Sequence, residues 1–256
     1  MIGIRSLFSL SLFCLALAFL ALAGSAPSLH AWQHEEHEPG MDRTLPAPQR
    51  SEAALAKEKA DKEFSEFNHW FSGVFVFLVG VVALLQPYVA RRFRAIRYLW
   101  TFLFLIPGVY LLLLSDPESW PTGNQTLYYV VTENMQVLQH KIFSLILLAL
   151  SAVEFFRVRG KLQALWTAFL FPAFAAAGAG LLFFHSPAAH AAFMDAGAHQ
   201  TMMQVQHQHI QFGLTGFGIA ISKAVADTER FHPRWMQVIF AVLMLVLGLL
   251  LMTYTE

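Results

Sequence analysis

Six apolar segments, each long enough to cross the roughly 30 Å hydrocarbon core of a bilayer, recur at about 67–87, 98–115, 140–157, 163–184, 209–226 and 235–254. A soluble domain carries about 25% charged residues. This chain of 256 residues carries 13%, against 56% hydrophobic. The expectation is an all-α, polytopic membrane helical bundle of six transmembrane helices whose surrounding partner is the lipid bilayer. The formal net charge of +0 gives no reason to expect nucleic acid as a partner. Cys14 is the single cysteine, so neither an intramolecular disulfide nor a cysteine-based metal site is available.

Ahead of the spans, residues 1–26 read as a signal peptide. Arg5 supplies the positive region, Leu7 to Leu22 the apolar core, and Ala23 to Ala26 a small-residue cleavage site. An uncleaved first helix is the alternative. Residues 27–66 form an extracytoplasmic segment containing His30, His34, His37 and Met41, with Ser51 to Phe67 reading as a helix that leads toward the membrane. The transmembrane domain is then 67–256.

Three short linkers settle the expected orientation. Arg91 to Arg97, Arg157 to Lys161 and Lys223 to Arg234 carry nearly all the basic charge beside the spans, which places them in the cytoplasm. The N-terminal segment, the 116–139 and 185–208 loops and the C-terminus then face the periplasm of a bacterial inner membrane.

The spans read as three copies of a two-helix unit of about 70 residues. Asn68 with His69, Gln139 with His140, and Gln208 with His209 each open an odd-numbered span. Four residues after each histidine stands a small residue (Gly73, Ser144, Gly213), and eleven after stands another (Gly80, Ser151, Ala220). Positions four and eleven share a helical face with the histidine, and small residues there let membrane helices approach closely. A Trp opens each even span: Trp100, Trp166 and Trp235.

That register gives the histidines a common depth near the outer interface. The 185–209 stretch holds five of the eleven histidines and three of the nine methionines. Imidazole and thioether are the ligand set that suits copper, Met favouring Cu(I). The candidate metal ligands are His69, His140, His185 and His209, with Met202 and Met203 as soft auxiliaries. Started near Ala198, the fifth helix puts His199, Met202, Met203, Gln206 and His209 on one stripe, and His207 faces away. Ordinary helix packing is the competing reading of all these residues. At the other end, Glu154 and Lys223 each follow their histidine by fourteen residues, about 21 Å further in; two snorkelling ends are expected, an ion pair between them being the alternative.

By this layout the chain resembles the copper-resistance protein D family of inner-membrane proteins over roughly residues 64–256. The resemblance implies copper uptake, tolerance or delivery, with a metal ion and a periplasmic copper carrier as partners. The alternatives are a membrane electron carrier binding haem b through a histidine pair, and a non-catalytic accessory or assembly subunit. No phosphate loop, nucleophile elbow or metalloprotease motif marks the chain as an enzyme.

Overall fold

The computed structural model describes residues 52–184, 196–229 and 231–256. The expected signal peptide, the tail histidines, and His185, His190 and Met194 lie outside the described residues. The chain divides after Phe64. Of the first unit the helical residues 52–64 are described, and the second, Ser65–Glu256, contains the core.

The regular elements are helices: α1 (Glu52–Val89), α2 (Ile96–Leu114), a short α3 (Leu127–Glu133), α4 (Met135–Val158), α5 (Leu170–Leu181), α6 (Ala196–Asp227) and α7 (Pro233–Met252). A 3-10 turn, Leu165–Phe169, leads into α5. Their limits have local causes. Asn134 ends α3 and starts α4, its Oδ1 accepting the Val137 N–H at 3.1 Å, as an N-cap does. Gly160 follows α4 with φ +68°, a left-handed conformation that glycine adopts without a Cβ clash. Pro233 stands in the first turn of α7, where its missing N–H costs nothing.

The six apolar segments lie largely in helical structure, but three helices are long and apolar enough to cross a membrane: Leu55–Val89, Ile96–Leu114 and Pro233–Met252. The apolar helical run Leu165–Leu181 is shorter. In α4 and α6 polar residues lower the apolarity, yet Lys141, Glu154 and Lys223 are buried at 5%, 6% and 5% exposure. Charge in these two helices is turned into the protein. Apolar side chains do the reverse: Leu78, Leu85, Phe102, Ile106, Leu145, Leu214 and Ile221 are all exposed, a surface suited to lipid.

Successive helices pack on one another, α2 on α4, α4 on α5, α5 on α6 and α6 on α7. The bundle closes because α1 touches both α2 and α7. Phe71 lies 4.3 Å from the Tyr110 ring on α2. On the other side, a Cβ added to Gly73 would meet the Gly248 carbonyl oxygen at 2.8 Å, and one added to Gly248 would meet the Phe77 nitrogen at 2.5 Å. All six small residues singled out by spacing are buried. Gly73 and Gly80 face α7, Ser151 donates to the Thr101 carbonyl of α2 at 2.9 Å, and Gly213 faces Ala179 of α5.

The centre is aromatic. Trp100 of α2, Phe171 of α5 and Phe240 of α7 meet there, Phe240 lying 5.5 Å from Trp100 and 5.8 Å from Phe171. Trp100 is buried at 3% exposure, whereas Trp166 is 65% exposed. The residues that join Trp100 in the core stand five positions after Trp166 and Trp235.

Candidate histidine cluster and buried charge network

At one end of the bundle α1, α4 and α6 bring together three histidines that lie about 70 residues apart in sequence. The His69 ring centre lies 6.0 Å from that of His140 and 6.0 Å from that of His209. His69 Nδ1 lies 2.9 Å from the Ser65 carbonyl oxygen, and His209 Nδ1 lies 2.8 Å from that of Val205. A carbonyl can only accept, so Nδ1 carries the proton in both rings, and in the neutral form Nε2 carries the lone pair. A backbone carbonyl holding the far nitrogen is a common way to orient a ligating histidine.

The amide preceding each histidine makes a matching contact. Asn68 Nδ2 donates to the Ser115 carbonyl at the end of α2 (3.1 Å), Gln139 Nε2 to the Leu181 carbonyl at the end of α5 (3.5 Å), and Gln208 Nε2 to the Thr255 carbonyl just past α7 (2.7 Å). Carbonyls at a helix C-terminus lack intrahelical partners. Each amide therefore ties its helix to the C-terminal end of the next long helix. In these contacts the three amides act as helix clips. Lys141, next to His140, also binds a helix end, its Nζ donating to the Leu112 carbonyl at 2.8 Å.

Tyr254 was not legible as part of the site. It lies just beyond α7 and stacks on His69 with ring centres 3.8 Å apart, and its edge approaches His209 at 5.8 Å. Its hydroxyl donates to Glu256 Oε1 at 2.7 Å, and the same oxygen accepts from Ser65 Oγ at 2.5 Å. Through Ser65, whose carbonyl holds His69, Glu256 links the stretch after α7 to the cluster.

A metal–imidazole bond of about 2.0–2.1 Å puts ring centres around one ion roughly 5–5.5 Å apart. The two 6.0 Å separations are wider by some tenths of an ångström. Among the described residues, no group of three His, Cys, Asp or Glu is arranged to hold a metal ion as it stands. Three imidazoles are a donor set of the kind that suits copper, but as placed their rings stand too far apart to share one ion. Met202 is half-buried, Met203 is 51% exposed, and His207 is exposed.

The opposite end holds a network of four charges. Arg157 donates to Glu154 at 3.1 Å and to Asp227 at 2.6 Å, while Lys223 donates to the second Asp227 oxygen at 2.7 Å. The Lys223 Nζ also stands 5.3, 5.6 and 5.4 Å from the ring centres of Trp100, Phe171 and Phe240, within cation–π range. The expectation of snorkelling ends is corrected: Glu154 and Lys223 are both buried, linked through Arg157 and Asp227, with no direct bond between them. Arg157, at the start of the basic linker, instead turns into the bundle. Asp227, four residues after Lys223, was the available signal.

Comparison with protein-family models, with curated proteins and with solved structures found no significant match to this chain.

Proposed function

We propose that this chain is a copper-binding protein of the bacterial inner membrane, with six spanning helices in three two-helix units and its histidine cluster on the periplasmic side. The observation that carries this reading is the convergence of His69, His140 and His209 from three separate helices, with ring centres 6.0 Å apart in two pairs. The matched clips of Asn68, Gln139 and Gln208, and the burial of the small residues four and eleven positions on, support the three-unit reading. Orientation rests on the basic linkers at the other end. His69, His140 and His209 serve as the ligands, with His185, Met202 or Met203 supplying a fourth, soft donor during capture or release. Copper uptake, tolerance or delivery, from a periplasmic carrier, follows as the role. The haem reading is weaker because Tyr254 stacks on His69 and Phe212 lies 5.7 Å from His209 and 6.5 Å from His69. Those rings occupy space that a planar macrocycle between two imidazoles requires.

Metal content and an optical spectrum of the detergent-purified protein test the proposal. Near-stoichiometric copper is expected in the wild type and its loss in the His69→Ala/His140→Ala/His209→Ala variant at unchanged helical content. No copper in a folded, copper-supplied wild type would overturn it, and a Soret band that vanishes in the variant would assign the cluster to haem.

A further inference from the structure

We propose that a cavity at the basic end of the bundle, remote from the histidines, is a binding site for a phosphate-type oxyanion. The cavity has a volume of about 500 Å³. It lies where the helix register changes: fourteen residues beyond their histidines, α4 and α6 carry Glu154 and Lys223, but α1 carries only Ala83. That missing side chain leaves space beside α1, and Ala83 lines it together with Arg91, Arg97, Trp100, Arg157 and Lys223.

Two independent features point to an anion. The first is charge. Four cationic side chains border the cavity, and the carboxylates that answer them are Glu154 on the wall and Asp227 bonded to Arg157 and Lys223. Arg91 and Arg97 make no ion pair among the described residues, so positive charge is in excess. The second is an orphaned donor. Trp100 is 3% exposed and lines the cavity, yet its indole Nε1–H has no acceptor. Buried donors are ordinarily satisfied, and an indole N–H can only donate. Its complement is an acceptor brought in from outside.

A tetrahedral phosphate offers acceptor oxygens in several directions at once. It can take an indole N–H from the helical wall and guanidinium forks from the α1–α2 turn together. A planar carboxylate spans fewer of these directions. The cavity exceeds the size of bare phosphate, so a phosphate ester fits, either the headgroup of an anionic lipid or a soluble phosphorylated compound. Arg91 and Arg97 are exposed at the mouth, where either source has access.

Thermal unfolding of the full-length protein in detergent should be followed in sodium phosphate and in sodium chloride of equal ionic strength. In parallel, nanodiscs of phosphatidylcholine should be compared with nanodiscs containing phosphatidylglycerol. The variants are Arg91→Gln/Arg97→Gln, whose side chains are exposed and leave the core intact, and Trp100→Phe, which keeps a ring but removes the donor. A saturable rise in the midpoint with phosphate, weakened roughly tenfold in apparent affinity by Trp100→Phe as expected for a hydrogen bond to a charged group, identifies a free phosphate site. A rise confined to phosphatidylglycerol and lost in the arginine variant identifies a lipid headgroup. No response to either, or equal responses in wild type and both variants, overturns the proposal.

Discussion

Asp227→Ala is expected to destabilise the protein by about 3–5 kcal/mol, the usual consequence of breaking a buried ion pair by removing one partner. Asp227 accepts from both Arg157 and Lys223. Its removal leaves Lys223, 5% exposed, facing the three aromatic rings without a counter-ion. Arg157 fares better because Glu154 stays at 3.1 Å. The loss therefore concentrates on Lys223. A second substitution makes the argument specific. Lys223→Met on top of Asp227→Ala removes the stranded charge and puts an apolar chain against Trp100, Phe171 and Phe240. It should recover most of the lost stability, whereas Arg157→Met on the same background should not. Thermal unfolding of the four proteins in one detergent decides this. Additive losses in the Lys223→Met double variant would mean the network is not what binds these helices together.

How much of this was readable beforehand depends on how far each feature reaches along the chain. The intervals of 71 and 69 residues between the histidines were visible, and a fixed rise per residue turns equal intervals into a common depth. The small residues four and eleven positions on were visible for the same reason. Tyr254 and Phe212 at the cluster were not, because aromatic contact between helices follows from crossing geometry, which no local spacing encodes. The Trp that opens each even span was visible, but the core partners of Trp100, Phe171 and Phe240, were not. A core position is defined by size and the helical face it occupies, and Trp or Phe satisfies that equally. The charges did mislead. Glu154 and Lys223 were weighed as a pair at equal depth, while their real partners sit three and four residues along their own helices.

Gly248→Leu should abolish the folded protein or cost it several kcal/mol, more than the roughly 1–3 kcal/mol typical of an overpacked core. The difference lies in what the new atoms strike. A Cβ at Gly248 meets backbone, the Phe77 nitrogen at 2.5 Å and its Cα at 2.7 Å, and backbone within a helix has no rotamer to yield. The only relief is separation of α1 from α7. Gly73 presents the same contact from the other side, its added Cβ meeting the Met252 nitrogen at 2.8 Å. Gly180→Ala is the internal control. Nothing lies within 4 Å of its added Cβ, so the substitution should be neutral or stabilise by up to about 1 kcal/mol through helix propensity. The two changes also separate packing from site chemistry. Separating α1 from α7 pulls His69 away from Tyr254 and from His209, so on the proposed copper reading any folded fraction of Gly248→Leu should lose copper, while Gly180→Ala should bind it as the wild type does. If Gly248→Leu folded normally and kept its metal, α1 would not be seated against α7, and the closed bundle that unites the three histidines would fall with it.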